Sequence, residues 1–398
     1  MNTSPVSDAR SLFSSAFAAQ PAVWAHAPGR IEVIGNHTDY NGGTVVGAAI
    51  DKGIALVAST RDDGRIRLLS REEPQGMVET TAETYRDTDL PAWTRYVLGV
   101  VDEFRMRGWM DVGAGCDLAV ASTLPVGTGL SSSAALELAT AGALTEAFSA
   151  QPAEFPGRAL QVEAAHRAEN RYVGMPCGLL DQSVVAWGKD DHLVVLDASS
   201  SRHAVIPLPE GLGFVLFRSH ISHALIDSPY ETRHRECREA LMGLERMIPG
   251  IRHLARCHPA DLDAYGVTLP DTLARRASHV IHEQRRVGRF LRALAASDTA
   301  AAGLCLLQSH ESSRSLFENS TPELDMLVGL LKTQEGVLGA RLSGGGWGGS
   351  VMALVDRSFS DEAAETVCNA YQELFEARPH WWRTRACDGL THGRTDAI

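Results

Sequence analysis

The strongest constraint on the fold is LPVGTGLSSSAALELATAGAL (residues 124–144), where a glycine- and serine-rich turn runs into a helix with almost no charged side chains. A helix that is apolar on every side is buried rather than amphipathic. The strand-like segment DLAVAST (residues 117–123) leads directly into it. We therefore expect this helix to lie in the core of a sizeable domain, with other elements covering it.

Length and charge limit the classes of protein to consider. The chain has 398 residues, which favours two domains or one elaborate domain, and we place the division near residue 200, between domains 1–200 and 201–398. Its net charge of −12 argues against a nucleic-acid or anionic-membrane partner, whereas local backbone dipoles still allow an anionic ligand. No apolar run reaches the roughly 18 residues of a membrane span. The seven cysteines form no CxxC pair, which indicates reduced thiols and a cytoplasmic location.

A polar cluster lies in GRIEVIGNHTDYNGG (residues 29–43), a strand-like run that ends in an Asn-Gly turn. Arg30, Glu32, His37 and Asp39 place a cation, an imidazole and two carboxylates close together. A solvated loop can carry these residues without a function. A site that binds a hydroxyl-rich molecule needs this mixture of donors and acceptors, and we take that as the working hypothesis.

Two glycine-rich stretches indicate close backbone approach. In PVGTGLSSSAA, Gly127 and Gly129 precede Ser131, Ser132 and Ser133 at a helix start, where free N–H groups and the helix dipole favour a phosphate. The alternative is a glycine turn with a serine N-cap. The second stretch, GGGWGG (residues 344–349), contains GxGxxG, but a strand follows it instead of a helix, which excludes a dinucleotide fingerprint. It predicts approach to a ligand or to the other domain.

Asp181 is the first candidate for catalysis. It lies in the apolar run CGLLDQS, so partial burial is expected, and a buried carboxylate needs a partner, for which Arg30 is suited. On this feature alone, a structural ion pair or a helix cap is favoured over a catalytic role for Asp181. Glu169 lies on the polar face of a predicted helix, where a solvated glutamate is the default interpretation.

Together, APGRIEVIGNHTDYNGG, LPVGTGLSSSAALELA and GARLSGGGWGGSVMALV resemble the three motifs of the GHMP small-molecule kinases. The first resembles the form found in galactokinases, GRVNLIGEHTDYNGG. WTRYVLGVV, GMPCGLLDQ, PYETRHREC, ASHVIHEQRRV and SHESSRSLFENSTPELDML extend the resemblance to that family from about residue 25 to residue 355. The resemblance implies an α+β fold with two GHMP kinase domains, mixed and antiparallel sheets with packed helices, and an active site in the cleft between them.

The resemblance also implies a reaction: ATP- and Mg²⁺-dependent phosphorylation of the anomeric C1 hydroxyl of D-galactose, giving galactose 1-phosphate and ADP. Arg30 and Asp181 would be catalytic, with Asp181 a weak base beside Arg30 that aligns the hydroxyl. The other implied roles are sugar contacts for Asn36, His37, Asp39, Gly178 and Tyr230, phosphate contacts for Gly127, Gly129, Ser131, Ser132 and Ser133, adenine contacts for Trp93 and Tyr96, and magnesium ligation for Ser133 and Glu169. The family further implies a monomer or weak dimer.

One departure from the family pattern concerns the substrate. Asn36 stands where galactokinases carry Glu, and Glu32 stands where they carry Asn. Loss of the carboxylate at position 36 leaves an anomeric kinase for galacturonate or an amino sugar as the alternative, and restoring glutamate there is expected to tighten galactose binding if the contact is looser. A non-catalytic sugar sensor is a third possibility, which the complete SSSAA segment, Arg30 and Asp181 disfavour.

Overall fold

The structure is a computed structural model that describes residues 4–81, 83–86, 89–125, 129–148, 156–175, 177–219, 221 and 229–395. The α-helices in this part are α1 Pro5–Phe17, α2 Thr94–Met106, α3 Ser132–Phe148, α4 Arg158–Arg167, α5 Leu180–Trp187, α6 Pro229–Glu245, α7 Pro259–Tyr265, α8 Asp271–Ala295, α9 Thr299–Ser312, α10 Pro322–Leu331 and α11 Asp361–Phe375. The strands are β1 Val23–Ile34, β2 Thr44–Arg61, β3 Arg65–Ser70, β4 Val78–Thr81, β5 Gly115–Ser122, β6 His192–Asp197, β7 Arg202–Pro207, β8 Gly213–Arg218, β9 Val337–Ser343, β10 Ser350–Val355, β11 His380–Thr384 and β12 Thr391–Arg394. Short π-helical turns follow α4 and α9.

The first sheet is mixed and is organised around the long strand β2. Its order is β12-β1-β2-β5-β3-β4, with β6 paired to the other end of β2 and β7 paired to β6. The pairing of β3 with β5 is parallel, whereas β1, β2 and β5 pair antiparallel. β1 and β2 form the hairpin that the Asn-Gly turn predicts, and their loop carries the polar cluster of residues 35–43.

The second sheet is antiparallel, in the order β11-β8-β10-β9, and packs with α10 and α11 around its own apolar core. β7 and β12 belong to the first sheet, although both lie beyond residue 200. The chain therefore returns to the first sheet at its C-terminal strand, and the division at residue 200 stays a prediction. The two sheets and their packed helices confirm the α+β class. Among the described residues, none of the helices combines the length and apolarity that crossing a membrane requires.

Helix α3 is buried as its composition predicts. Twelve of its 17 residues are buried, and it packs against β1 and β2. Burial holds the helix N-terminus at a fixed place, next to the end of the glycine–serine loop. Leu130, the last residue before the serines, accepts a hydrogen bond from the backbone N–H of Arg30 at 3.1 Å. The core thereby brings the polar motif that contains Arg30 next to the glycine–serine loop before α3.

β1 also connects the two parts of the chain. The backbone N–H of Glu32 donates to Ser343 Oγ at 3.0 Å, and the Asn36 side chain donates to the carbonyl of Gly344 at 2.9 Å. The glycine-rich loop after β9 therefore approaches the loop after β1 closely, as GGGWGG predicts. Gly346 needs to be glycine here, because its φ is +95° and a Cβ would overlap the Asn319 carbonyl.

Candidate active site

A cleft of about 290 Å³ opens between these loops and the first turns of α3, α5 and α6. The sequence-predicted residues that line it are Arg30, Asn36, His37, Asp39, Gly129, Ser131, Ser132, Ser133, Glu169, Gly178, Asp181 and Tyr230. Gly127 lies outside the described residues. We call the part around Arg30, Ser131 and Asp181 the transfer end, and the part around Glu32, Asn36, His37, Asp39 and Tyr230 the recognition end.

The transfer end centres on a bidentate ion pair. Arg30 Nε donates to Asp181 Oδ1 at 2.8 Å, and Arg30 Nη2 donates to Oδ2 at 2.7 Å. The arginine side chain is 7% exposed and the aspartate side chain 26%, so the carboxylate keeps an open side. Asp181 takes this position because it lies in the first turn of α5, whose apolar face packs on the sheet. The predicted pairing of Arg30 with Asp181 is confirmed.

The glycine–serine loop completes the transfer end. Arg30 Nη1 donates to the carbonyl of Gly129 at 2.6 Å, and the Ser131 hydroxyl donates to Asp181 Oδ2. Ser131 has a φ of +58°, a left-handed conformation that is uncommon for serine and that occurs at functional turns. The ion pair and the loop are thus one hydrogen-bonded unit.

Behind this unit lie Ser132 and Ser133, which form the first turn of the long helix α3. The Ser133 hydroxyl is hydrogen-bonded to Glu169, whose Oε2 also accepts from Gln182 Nε2 at 2.6 Å. The same Gln182 nitrogen donates to Glu137 Oε2 at 3.1 Å, and Glu137 Oε1 is buried without a partner among the described residues.

These carboxylates repel one another in a buried setting. Burial raises the pKa of Glu169, and Asp181 raises it further; burial and then Glu169 raise the pKa of Glu137. A hydroxyl, a carboxylate and the positive end of a 17-residue helix suit a phosphate group and its Mg²⁺, since Mg²⁺ uses one or two carboxylates together with phosphate oxygens. Within the described part of the chain, no group of three His, Cys, Asp or Glu side chains forms a metal cluster on its own.

At the recognition end, Asn36 is fully buried and its amide is saturated. Nδ2 donates to Glu32 Oε1 and to the Gly344 carbonyl, both at 2.9 Å. Oδ1 accepts from Ser313 Oγ at 3.1 Å and from Asn319 Nδ2 at 2.8 Å. An amide makes four hydrogen bonds at most, so Asn36 reaches a sugar only if one of these bonds is exchanged. Here Asn36 supports the wall of the cleft.

Glu32 carries the carboxylate that position 36 lacks. Its Oε1 accepts from Asn36 and from Nη1 of Arg341, the latter at 2.8 Å, and none of the described residues donates to Oε2. Arg341 is fully buried, and burial raises the pKa of Glu32 while Arg341 opposes that shift. The Glu32 carboxylate therefore lies at the cleft and is hydrogen-bonded to the Asn36 amide.

The His37 ring is fixed by its neighbours. Nε2–H donates to the Gly345 carbonyl at 2.9 Å, and Nδ1 accepts from the Tyr40 hydroxyl at 2.9 Å. Burial lowers the pKa of His37 to about 3, so the ring is neutral. Its centroid lies 5.3 Å from that of Tyr230 and 4.5 Å from that of Phe317. The ring edges are thus occupied, and the sugar contact predicted for His37 stays a prediction.

Asp39 packs directly against Gly178 at the recognition end. A Cβ on Gly178 would overlap Asp39 Oδ2, so only glycine lets the carboxylate take this position. Burial raises the pKa of Asp39 to about 7, and the Glu32 and Asp181 carboxylates contribute to the shift. Asp39 is therefore able to switch between donating and accepting near neutral pH.

Trp93 and Tyr96 are not among the residues that line the cleft. Trp93 precedes α2 and Tyr96 lies in its first turn; both pack against the main core. The indole N–H of Trp93 is buried without a partner among the described residues. Burial raises the pKa of Tyr96, and the nearby Glu169 charge raises it further. Their contact with adenine stays a prediction.

Sequence reasoning missed Glu137, Arg341, Ser343 and the carbonyls of Gly344 and Gly345. Glu137 had a signal, because it is the one charged residue in the buried part of α3. GGGWGG predicted close approach by the glycine loop but not the partners of its carbonyls. Arg341 and Ser343 had no signal, since they contact residues some 300 positions away in the chain.

The family comparisons agree with this arrangement. A family model described as "Galactokinase galactose-binding signature" matches residues 11–60, "GHMP kinases N terminal domain" matches residues 95–189, and "GHMP kinases C terminal" matches residues 290–377. The chain is 38% identical to the galactokinase of Thermotoga neapolitana over 365 residues, covering 92% of this chain and 98% of the relative. It is 33% identical to the galactokinase of Canis lupus familiaris, covering 96% and 95%.

Solved structures are similar as well. The galactokinase of Lactococcus lactis complexed with galactose has a TM-score of 0.91 and 29% identity, covering 98% of this chain and 100% of that one. The mevalonate kinase of Methanococcus jannaschii has a TM-score of 0.65 at 14% identity, covering 92% and 99%. The second likeness concerns the fold alone.

Proposed function

The chain belongs to the galactokinase family of the GHMP kinases, and we propose that it phosphorylates the anomeric C1 hydroxyl of D-galactose with ATP in the cleft around Arg30 and Asp181. It is a phosphotransferase that uses ATP with Mg²⁺, as its family does. The observation that carries the proposal is the Arg30–Asp181 pair and its bond to the Gly129 carbonyl. This unit joins the sugar-binding motif to the phosphate-binding loop.

In this proposal Asp181 accepts a hydrogen bond from the C1 hydroxyl through the open side of its carboxylate. It aligns the hydroxyl oxygen for attack on the γ-phosphorus of ATP. Asp181 takes up the hydroxyl proton as the new P–O bond forms and the bond from the γ-phosphorus to the β–γ bridging oxygen breaks, so that ADP leaves. Arg30 holds the carboxylate in place by two bonds and lies where it offsets charge on the transferring group. Phosphoryl transfer depends mainly on such positioning and charge stabilisation, so no further covalent group is needed.

The remaining donors suit the nucleotide. The residues from Gly127 to Ser133 would bind the phosphates, with Ser131, Ser132 and Ser133 at the N-terminus of α3, and Trp93 and Tyr96 would lie near adenine. Ser133 and Glu169 would hold Mg²⁺, which supplies positive charge to the phosphate oxygens. The buried Glu169 and Glu137 carboxylates share one Gln182 nitrogen, and Glu137 Oε1 has no partner among the described residues, so a bound cation would offset their charge.

At the other end of the cleft we propose that Asp39, His37, Tyr230 and the backbone at Gly178 contact the sugar. The carboxylates of Glu32 and Asp39 both line this end. A sugar with a C6 carboxylate would meet both, so galacturonate is disfavoured despite Asn36. An amino sugar remains as the alternative substrate, because its cation would be attracted to these carboxylates.

A sugar panel tests the proposal. The purified protein with Mg-ATP should release ADP fastest with D-galactose among galactose, galactosamine, galacturonate, glucose and mannose. A faster rate with galactosamine would show that galactosamine, and not galactose, is the preferred substrate. Galactose binding without any ADP release would indicate a sensor instead of a kinase.

We further propose a cytoplasmic protein with domains 1–200 and 201–398 that acts as a monomer or weak dimer. The seven cysteines support a reducing compartment, because all of them are free thiols in the structure.

A further inference from the structure

A second concave region lies along helix α8 and shares no lining residue with the cleft. This groove has a volume of about 650 Å³, within the usual range of small-molecule sites. Its charged and titratable lining consists of Arg256, His282, Arg285, Arg286, Arg289 and Arg292. No aspartate or glutamate lines it in the part of the chain that the structure describes.

The charge of the groove opposes that of the molecule. The chain carries a net charge of −12, yet Arg285, Arg289 and Arg292 are exposed on one face of α8 at spacings of four and three residues. Among the described residues none of these three has a carboxylate within ion-pair distance; Arg289 donates to the neutral Gln308 amide at 3.2 Å. Like charges at this spacing destabilise a helix, so folding stability does not explain them.

Arg286 gives a second, independent indication of a ligand. It is 7% exposed and lines the groove, and its Nη2 is buried without a hydrogen-bond partner among the described residues. Its Nε is already bound to Glu283 Oε2 at 2.6 Å. A buried N–H of a guanidinium left unpaired is costly, and an anion in the groove would satisfy it once the Arg286 guanidinium turns toward the opening. Arg256, at the rim, is held by Asp197 at 2.6 Å.

We propose that this groove binds the polyphosphate group of a small anionic molecule. Arg285, Arg289 and Arg292 supply three uncompensated charges in a row, which suits a linear chain of two or three phosphates better than a single phosphate. The guanidinium of Arg286 supplies the inner donor. The groove recognises phosphate, and the rest of the ligand extends toward solvent.

Helix α8, which lines the groove, also contacts the loop at the recognition end of the cleft. Glu283, the partner of Arg286, accepts from the backbone N–H groups of Gly35 and Asn36 at 3.0 and 3.2 Å. Gln284, the next residue, accepts from the backbone N–H of Thr44 at 2.7 Å. Both ends of the sugar-binding loop therefore rest on the helix that carries the arginines.

Isothermal titration with inorganic tripolyphosphate tests the proposal directly. The wild-type protein should show a binding event that Arg285→Gln/Arg289→Gln weakens by about tenfold or more, since each arginine contributes charge-assisted hydrogen bonds. Both side chains are exposed and like-charged, so an unchanged or slightly raised Tm is expected for the double variant. The phosphate loop of the cleft is intact in every protein compared, so the difference between isotherms reports the groove.

The matched control is Arg275→Gln, an exposed arginine on the same helix that does not line the groove. It should retain the wild-type isotherm. Identical isotherms for all three proteins, or equal loss in the control, would overturn the proposal. So would displacement of tripolyphosphate from the groove by adenosine, because recognition would then not depend on phosphate. The titration measures no turnover, so its outcome is separate from that of the sugar panel.

Discussion

The two ends of the cleft are built from the same short motif but are held in different ways. At the transfer end, Arg30 and Asp181 are 151 positions apart in the chain and contact each other directly, with one side of the carboxylate left open. At the recognition end, the polar side-chain atoms of Asn36 and His37 are hydrogen-bonded to other groups of the protein. The first end is arranged to act on a ligand, whereas much of the second is arranged to hold a wall in shape.

This difference teaches that polar side chains of a predicted sugar-binding motif can have most of their hydrogen bonds to other protein groups. When residues 32 and 36 are each compared separately with the galactokinase motif, the exchanged carboxylate and amide suggest a change of substrate specificity. In the structure the two side chains are hydrogen-bonded to each other, Glu32 also accepts from Arg341, and the Glu32 carboxylate lies at the cleft. Glu32 and Asn36 must therefore be considered together when substrate specificity is inferred from these two positions.

The largest effect is expected at the transfer end. Asp181→Asn should lower kcat by about 10²–10⁴-fold, because an amide cannot take the proton of the C1 hydroxyl and offers Arg30 one acceptor instead of two. Steady-state kinetics on galactose measure the loss, with Tm checking that the variant folds. Asp62→Asn, which changes an exposed turn carboxylate in the same way, should turn over like wild type. Unchanged turnover in Asp181→Asn would remove Asp181 from the mechanism.

The next largest effect is expected for substitution of Asn36 at the recognition end, and it concerns the free energy of unfolding. Asn36→Glu alone would bring a second carboxylate against Glu32 and the Gly344 carbonyl, and should cost about 3 kcal/mol or more in the free energy of unfolding. This revises the simpler expectation that restoring glutamate at position 36 tightens galactose binding. The variant Glu32→Asn/Asn36→Glu should recover about 1–3 kcal/mol of the loss.

Chemical denaturation of the wild type, both single variants and the double variant completes this cycle. Additive losses would mean that the two positions are independent and that Asn36 alone sets the difference from the family. Galactose KM for the double variant, compared with that of the wild type, then shows whether the exchanged pair leaves substrate preference unaltered.

The contrast between the ends also explains which parts could be predicted. A carboxylate in an apolar run needs a counter-charge, and a helix without charges must be buried, so the Arg30–Asp181 pair and α3 followed from local chemistry. Apart from Glu32, the side-chain partners of Asn36 are Ser313, Asn319 and Gly344, at least 277 positions away, and no local pattern specifies these three. The strands β7 and β12 were missed because their short segments are completed by pairing with β6 and β1.

Asp39 allows a test of the recognition end through pH. Its pKa is about 7 in the folded protein and ordinarily about 3.8. Between these values the folded state holds a proton that the unfolded state has lost, so this group makes stability fall as pH rises from about 4 to about 7. Asp39→Asn removes that slope, and the wild type should lose on the order of 1–3 kcal/mol relative to the variant between pH 5 and pH 8. Asp62→Asn should track the wild type, and a constant difference for Asp39→Asn would place Asp39 in a solvated site.

The smallest effect is expected from a substitution that displaces the Asp39 carboxylate without changing any charge. In Gly178→Ala the new Cβ meets the end of the Asp39 side chain, which is able to swing aside, so Tm should hardly change. The displaced carboxylate should lose a hydrogen bond to the sugar, and galactose KM should rise about threefold to tenfold with kcat nearly constant. Gly113→Ala, where a Cβ meets nothing within 4 Å, is the matched control. An equal fall in kcat would mean that the displacement spreads to the Arg30–Asp181 pair, and the two ends of the cleft would then be one mechanical unit.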